Sequence, residues 1–227
     1  MSRPRLAVMI ACCTAAGALL SGPATAQAAG SGRCASFTGQ RLLHNRSIYV
    51  IERPVGERDG GLGYERMLVY ACVPPAGHVW LVGVASDPGA GGYAEASANA
   101  HAGNWAVIEF HDNQTPHESE QAYKLINART GTSRTFFREG ASEIPGFGAH
   151  EGKESIDALK LNGFGQLLLE TSNGAEPATA EVIAEQPSGR RRRLDQGALS
   201  QVPPQSLSLI GHTAAWIDAS VHHTATI

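Results

Sequence analysis

The chain reads as an all-β protein built from antiparallel four-stranded repeats, and three observations say so. Its apolar runs are short, rich in Val, Ile, Leu, Trp and Tyr, and bounded by Gly, Pro, Asn or Asp. Helix signals are few, against 26 Gly and 12 Pro in 227 residues. A pattern of strand, Gly turn and more apolar strand recurs along the chain.

The first element is not part of that pattern. Residues 1–5 are basic, 6–20 apolar, and small residues follow up to Gly30. This is the layout of a secretory signal peptide, with Ala24-Thr25-Ala26 the best cleavage match and Ala26-Gln27-Ala28 the next. It predicts a signal over 1–29, an exported start between Gln27 and Gly30, and a single domain over 30–227. Cys12 and Cys13 leave with the signal, and Val8-Met9-Ile10-Ala11 ahead of them makes a poor lipid-attachment motif. Without Arg3 and Arg5 the 18 Lys and Arg become 16, against 21 Asp and Glu, a formal net charge of −5. That balance argues against a nucleic-acid binder. No later apolar run approaches ~18 residues, so no mature membrane span is expected. The expectation is a secreted monomer.

Cys34 and Cys72 remain, an even pair in an exported chain, which favours a disulfide. They lie 38 positions apart, and closing such a loop is worth ~4 kcal/mol on the chain-entropy model. The alternative is two separate buried thiols. Neither cysteine has a Cys or His at zinc-ligand spacing.

The strands follow. Apolar runs lie at 47–51, 67–73, 79–84, 105–110, 167–169 and 214–217. Val79-Trp80-Leu81-Val82 does not alternate, which predicts a strand covered on both faces. Gly103-Asn104-Trp105-Ala106-Val107-Ile108 resembles Gly163-Phe164-Gly165-Gln166-Leu167-Leu168 and Gly211-His212-Thr213-Ala214-Ala215-Trp216. Each follows a strand-like segment, at 94–101, 155–161 and 205–210. A second hairpin comes next, turning at Ala76-Gly77, Thr130-Gly131 or Ser188-Gly189. Together the two hairpins make a four-stranded unit of roughly 50–60 residues, complete at 94–139 and 155–199. The first copy shows no clear first strand and begins near Leu42-Leu43-His44-Asn45, and the last, 205–227, has two strands and a stub of a third.

Four-stranded sheets at this period are the mark of β-propeller blades. The prediction is a small, about four-bladed or incomplete propeller in which C-terminal strands share a sheet with N-terminal ones. An open stack and a β-sandwich are the alternatives. The motifs Leu68-Val69-Tyr70-Ala71-Cys72, Gly103-Asn104-Trp105-Ala106-Val107 and residues 206–216 resemble uncharacterised secreted proteins of high-GC Gram-positive bacteria with WD40/TolB-like β-propeller repeats. The resemblance covers most of 34–227. It implies the fold and carries over no functional residue. The Trp-Asp dipeptide of typical WD40 blades is lacking.

Candidate chemistry is sparse. His111, Asp112, Asn113, His117, Glu118 and Glu120 could ligate a divalent ion, but without closed-site spacing they read as a solvated loop. Of His222 and His223 at most one enters a given site, because neighbours on a strand face opposite ways. Arg190, Arg191, Arg192 and Arg193 could hold a polyanion; on an edge strand they read as a block against edge-to-edge pairing. The 139–155 stretch carries Glu139, Glu143, His150, Glu151 and Glu154, which could serve glycosidase-type acid–base work. The Gly-rich run 87–92 matches no phosphate-binding motif. Asn45-Arg46-Ser47 is a formal glycosylation sequon. No catalytic residue, metal ligand or cofactor is assigned. The expected function is a non-enzymatic binding or scaffold module with a protein or glycan ligand; the alternative is an extracellular carbohydrate-active or metal-assisted hydrolase using the acidic and His loops.

Overall fold

The computed structural model describes residues 34–57, 64–75, 77–86, 94–115, 118–139, 154–174 and 177–227. They form fifteen strands and two short 3-10 turns, Cys34–Ser36 and Pro204–Ser206. The strands make four antiparallel meanders. The first holds β1 (Gln40–His44), β2 (Tyr49–Glu57), β3 (Tyr64–Cys72) and β4 (Val79–Ser86). The second holds β5 (Ala94–Ala102), β6 (Trp105–Thr115), β7 (Glu118–Asn127) and β8 (Thr132–Glu139). The third holds β9 (Glu154–Leu161), β10 (Leu167–Asn173), β11 (Thr179–Glu185) and β12 (Arg191–Ala198). The fourth has three strands, β13 (Ser208–Ile210), β14 (Thr213–Asp218) and β15 (Val221–Thr226). No helix among the described residues is long and apolar enough to cross a membrane.

The sheets pack face to face in chain order, which gives three cores. Val50, Val69, Ile108 and Phe110 lie between the first and second sheets. Val107, Leu125, Leu167 and Leu169 lie between the second and third. Leu168, Val182, Leu207 and Trp216 lie between the third and fourth. Successive residues of β6 and β10 therefore enter opposite cores. This is why those strands do not alternate: both faces are removed from water, so both positions are apolar. Val79 belongs to a further cluster on the outer face of the first sheet, with Cys34, Tyr70 and Cys72. The propeller-like, all-β reading holds, as do the two complete repeats at 94–139 and 155–199.

Three details differ from expectation. The first repeat has its own first strand, β1, which pairs with β2 through a bulge between Arg41 and Leu43. Its residues are exposed or half-buried, so no apolar run announced it. With that place filled, the C-terminal strands share no sheet with the N-terminal ones among the described residues and form their own. The third strand of that sheet, β15, is as long as β14 rather than a stub.

The Gly turns carry a packing device between sheets. Gly131 (φ 71°) and Gly165 (φ 78°) sit in the left-handed region. A Cβ on Gly131 would run into the Trp80 ring, and one on Gly165 would lie 2.5 Å from the Trp105 ring. A tryptophan of one sheet thus covers the Gly turn of the next. Gly165→Ala should cost ~2 kcal/mol through backbone strain and overpacking together. A urea-unfolding curve checks this, and an unchanged midpoint would disprove the close fit.

Candidate functional site

The two ends of the stack differ. At one end the links are short, and contacts between sheets hold them together. Asn45 Nδ2 lies 3.3 Å from His101 Nδ1, the Gly103 turn abuts Gly163, and Asn162 Nδ2 donates to the Gly211 carbonyl at 2.6 Å. Arg134 of β8 and Arg191 of β12 both pair with Glu185, whose side chain is buried, tying the second sheet to the third. Gln166 Nε2 donates to the Ile227 carbonyl at 2.8 Å, tying the third to the fourth. Because the strands are antiparallel, the connections 58–63, 87–93 and 140–153, and the stretch 199–207, leave from the opposite end.

The sequence-based candidates scatter over this frame. Residues 111–115 and 118–120 are strand rather than loop: β6 and β7 stay paired out to Thr115 and Glu118. Backbone pairing needs only N–H and C=O groups, so polar side chains did not stop the ladder. His111 Nε2 rests 2.9 Å from Glu109 Oε1; His117 and the side chains of 112–120 lie outside the described residues. So do Glu143, His150, Glu151 and the 87–92 run. Glu139 and Glu154 stand at the ends of β8 and β9. Arg191, Arg192 and Arg193 do lie along an edge strand, β12, with Arg190 just before it, but each described contact is specific. Besides Glu185, Arg191 reaches the Phe136 carbonyl. Arg192 donates to the Thr226 carbonyl at 2.5 Å, and Arg193 pairs with Glu181 at 3.0 Å.

Two groups were not assembled from the sequence, although His223 of the second was among its candidates. The first is a repeated glutamate. Val50-Ile51-Glu52, Val107-Ile108-Glu109 and Leu168-Leu169-Glu170 occupy equivalent places on β2, β6 and β10. In each, the first apolar residue enters the core shared with the next sheet, and the glutamate two positions on shares its face. Glu109 is satisfied, accepting from Asn99 Nδ2 at 2.8 Å. Its charge and burial push the Tyr123 phenol up, burial being the larger cause. Burial, opposed by the Ala96 backbone N–H and aided by Glu95, raises the Glu52 carboxyl. Glu170 is fully buried and neither of its oxygens has a hydrogen-bond partner. Burial and then Asp157 push it up to about 7.

The second group lies between the third and fourth sheets, toward the loop-bearing end. Asp195 of β12 faces Asp218 and His223 of the fourth sheet, and one donor atom from each lies within 4.8 Å of the others. Asp195 Oδ2 accepts from Trp216 Nε1 at 2.6 Å, and Oδ1 accepts from the Gln196 backbone N–H at 2.9 Å. His223 stacks on Trp216, ring centroids 5.5 Å apart and 14° from parallel. Asp218 Oδ1 is buried without a partner. Asp218 ends β14 where the chain turns through Ala219 (φ 46°) and Ser220 (φ 69°), a conformation that costs non-glycine residues energy. His222 faces the other side of β15, as neighbouring strand residues must.

Compared with protein-family models, curated proteins and solved structures, the chain matches none of them, and its site stands on its own geometry.

Proposed function

We propose that this protein is a secreted, non-enzymatic binding or scaffold module that meets a protein or glycan partner through the loop-bearing end of its stacked sheets. The observation that supports this is the asymmetry of the two ends. Short Gly turns are knitted together at one end, while the longer connections leave from the other. A rigid β scaffold that gathers its variable-length links on one side presents them as a recognition surface. The Cys34–Cys72 disulfide and the sequence pattern of residues 1–29 support export, and the repeat motifs support kinship with WD40/TolB-like propeller proteins.

The test uses protein harvested from the culture medium, whose N-terminus should fall between Gln27 and Gly30. On a glycan array and in a cross-linking capture, wild-type protein should retain a partner that stabilises it by ~2.7 kcal/mol at a hundredfold excess over Kd. Replacing 140–153 by a Gly-Ser spacer should abolish capture while leaving the melting temperature within a few degrees. Capture unaffected by removal of that connection, or a product still starting at Met1, would sink the reading.

A further inference from the structure

We infer that Asp195, Asp218 and His223 form a binding site for a divalent zinc-class ion that clamps the fourth sheet onto the third. The donors come from two sheets and from three separate strand positions, yet one atom of each lies within 4.8 Å of the others. A tetrahedral zinc with bonds of ~2.0–2.1 Å sets its ligands about 3.3 Å apart. Small side-chain rotations close that difference.

Three features favour a cation here over a merely polar seam. The first is the charge arrangement. Asp195 and Asp218 bring two carboxylates together, and no described arginine or lysine pairs with either. The arginines of β12 are engaged elsewhere: Arg191 by Glu185, Arg193 by Glu181 and Arg192 by the Thr226 carbonyl. Two facing carboxylates without a counter-charge repel, and a divalent ion removes that cost.

The second feature is an oxygen in need of a partner. Asp218 Oδ1 is buried and accepts no hydrogen bond. It sits against the backbone of Gly197, where an added Cβ would come within 3.1 Å of it. An unpaired buried carboxylate oxygen is costly and calls for an explanation such as an ion.

The third feature is support behind the ligands. Trp216 is buried; its indole N–H holds Asp195 Oδ2 while its ring face holds the His223 imidazole. One side chain thus orients two of the three ligands, as outer-shell partners do in metal sites. The donor set names the class. Calcium and magnesium take oxygen ligands, whereas one imidazole with two carboxylates suits zinc and its neighbours. Three protein ligands leave a fourth position for water or for a donor brought by a partner.

The full mature chain, stripped with EDTA and freed of any affinity tag, is titrated with zinc chloride and, separately, calcium chloride. Calorimetry and thermal unfolding are the readouts. One equivalent of zinc should bind and raise the melting temperature, and calcium should do neither. Cobalt in place of zinc should give the visible bands of a low-symmetry four-coordinate site and quench Trp216 emission. Asp218→Asn keeps the side-chain shape, and His223→Asn lies on the outer strand β15; each should weaken zinc at least ~100-fold, beyond the 10–100-fold of an outer-shell change. His222→Asn should bind as wild type. The inference is overturned if stoichiometric zinc binding is absent. It is also overturned if Asp218→Asn and His223→Asn bind as wild type, or if calcium matches zinc. Circular dichroism identifies any variant that fails to fold, and the other variant then decides.

Discussion

Cys72→Ala should lower the unfolding free energy by ~2–5 kcal/mol, the usual cost of losing a native disulfide in a small secreted domain. Cys34 and Cys72 are bonded, with Cα atoms 5.8 Å apart, inside the range a disulfide spans without backbone movement. The bond closes a loop across 38 positions, so its main effect is on the unfolded chain. Its local effect is on the first sheet, whose outer face meets no further sheet among the described residues. The 3-10 turn Cys34–Ser36 and Phe37 lie over that face instead, Phe37 at 4.7 Å from the Tyr70 ring, with Leu68 and Leu81 packed at the margin. Both cysteines are buried. Terminal segments fray unless tied down, so breaking the bond should release residues 34–39 and expose that apolar face. Urea unfolding without reductant measures the loss, and wild-type protein in dithiothreitol should reproduce it. Hydrogen exchange should rise in 34–39 and in β3 while the third and fourth sheets keep their protection. A loss under ~1 kcal/mol, or exchange raised equally everywhere, would show that the bond does not act this way.

What the sequence made legible follows from burial. Strands buried on both faces, such as β6 and β10, stand out because neighbouring residues are apolar on both faces, as at Val107-Ile108 and Leu167-Leu168-Leu169. Gly131, Gly165 and Gly211 stand out because left-handed turns exclude most other residues. Strand β1 did not stand out, since an edge strand with half-exposed residues needs no apolar run. The outer reach of the β6–β7 hairpin was hidden for the same reason, since its polar residues read as loop. The site between the third and fourth sheets was hidden differently. Asp195 follows four arginines, Asp218 precedes an Ala-Ser turn and His223 sits in an ordinary edge strand, so no linear spacing joins them. Only the stacking of one sheet on the next brings them together. The repeated glutamate was within reach, in the recurrence of Val-Ile-Glu at 50–52 and 107–109 and of Leu-Leu-Glu at 168–170. It was masked because Glu52 and Glu170 stand just past the apolar runs 47–51 and 167–169, where a charged residue reads as a strand end, and only Glu109 falls inside a run, 105–110.

Of those three glutamates, Glu170 should have the largest effect on stability. Replacing it by methionine should stabilise the protein at pH 8 by ~3 kcal/mol more than at pH 4.5. Glu170 pairs across the ladder with Ala158 and Val182, and both neighbours belong to the core against the fourth sheet. Its carboxyl is fully buried and unpartnered, and burial together with Asp157 lifts it from 4.5 to about 7. The sign follows from which state holds the proton. Between those values the folded protein keeps a proton that the unfolded chain releases, so stability falls as pH rises. The contribution is fully present below about 4.5 and lost above about 7, a span of roughly 3 kcal/mol at 1.36 kcal/mol per unit. Methionine fills a similar volume, carries no charge and removes that slope. At pH 4.5 it should still gain a little, because even a neutral carboxyl is costly to bury unpaired. Comparing wild type with Glu170→Met isolates this group from Glu52, whose carboxyl is raised in the same direction and is present in both. Urea-unfolding curves at the two pH values measure the difference. If the variant's gain is the same at both, the Glu170 side chain is ionised in the folded protein and its burial is compensated by a partner.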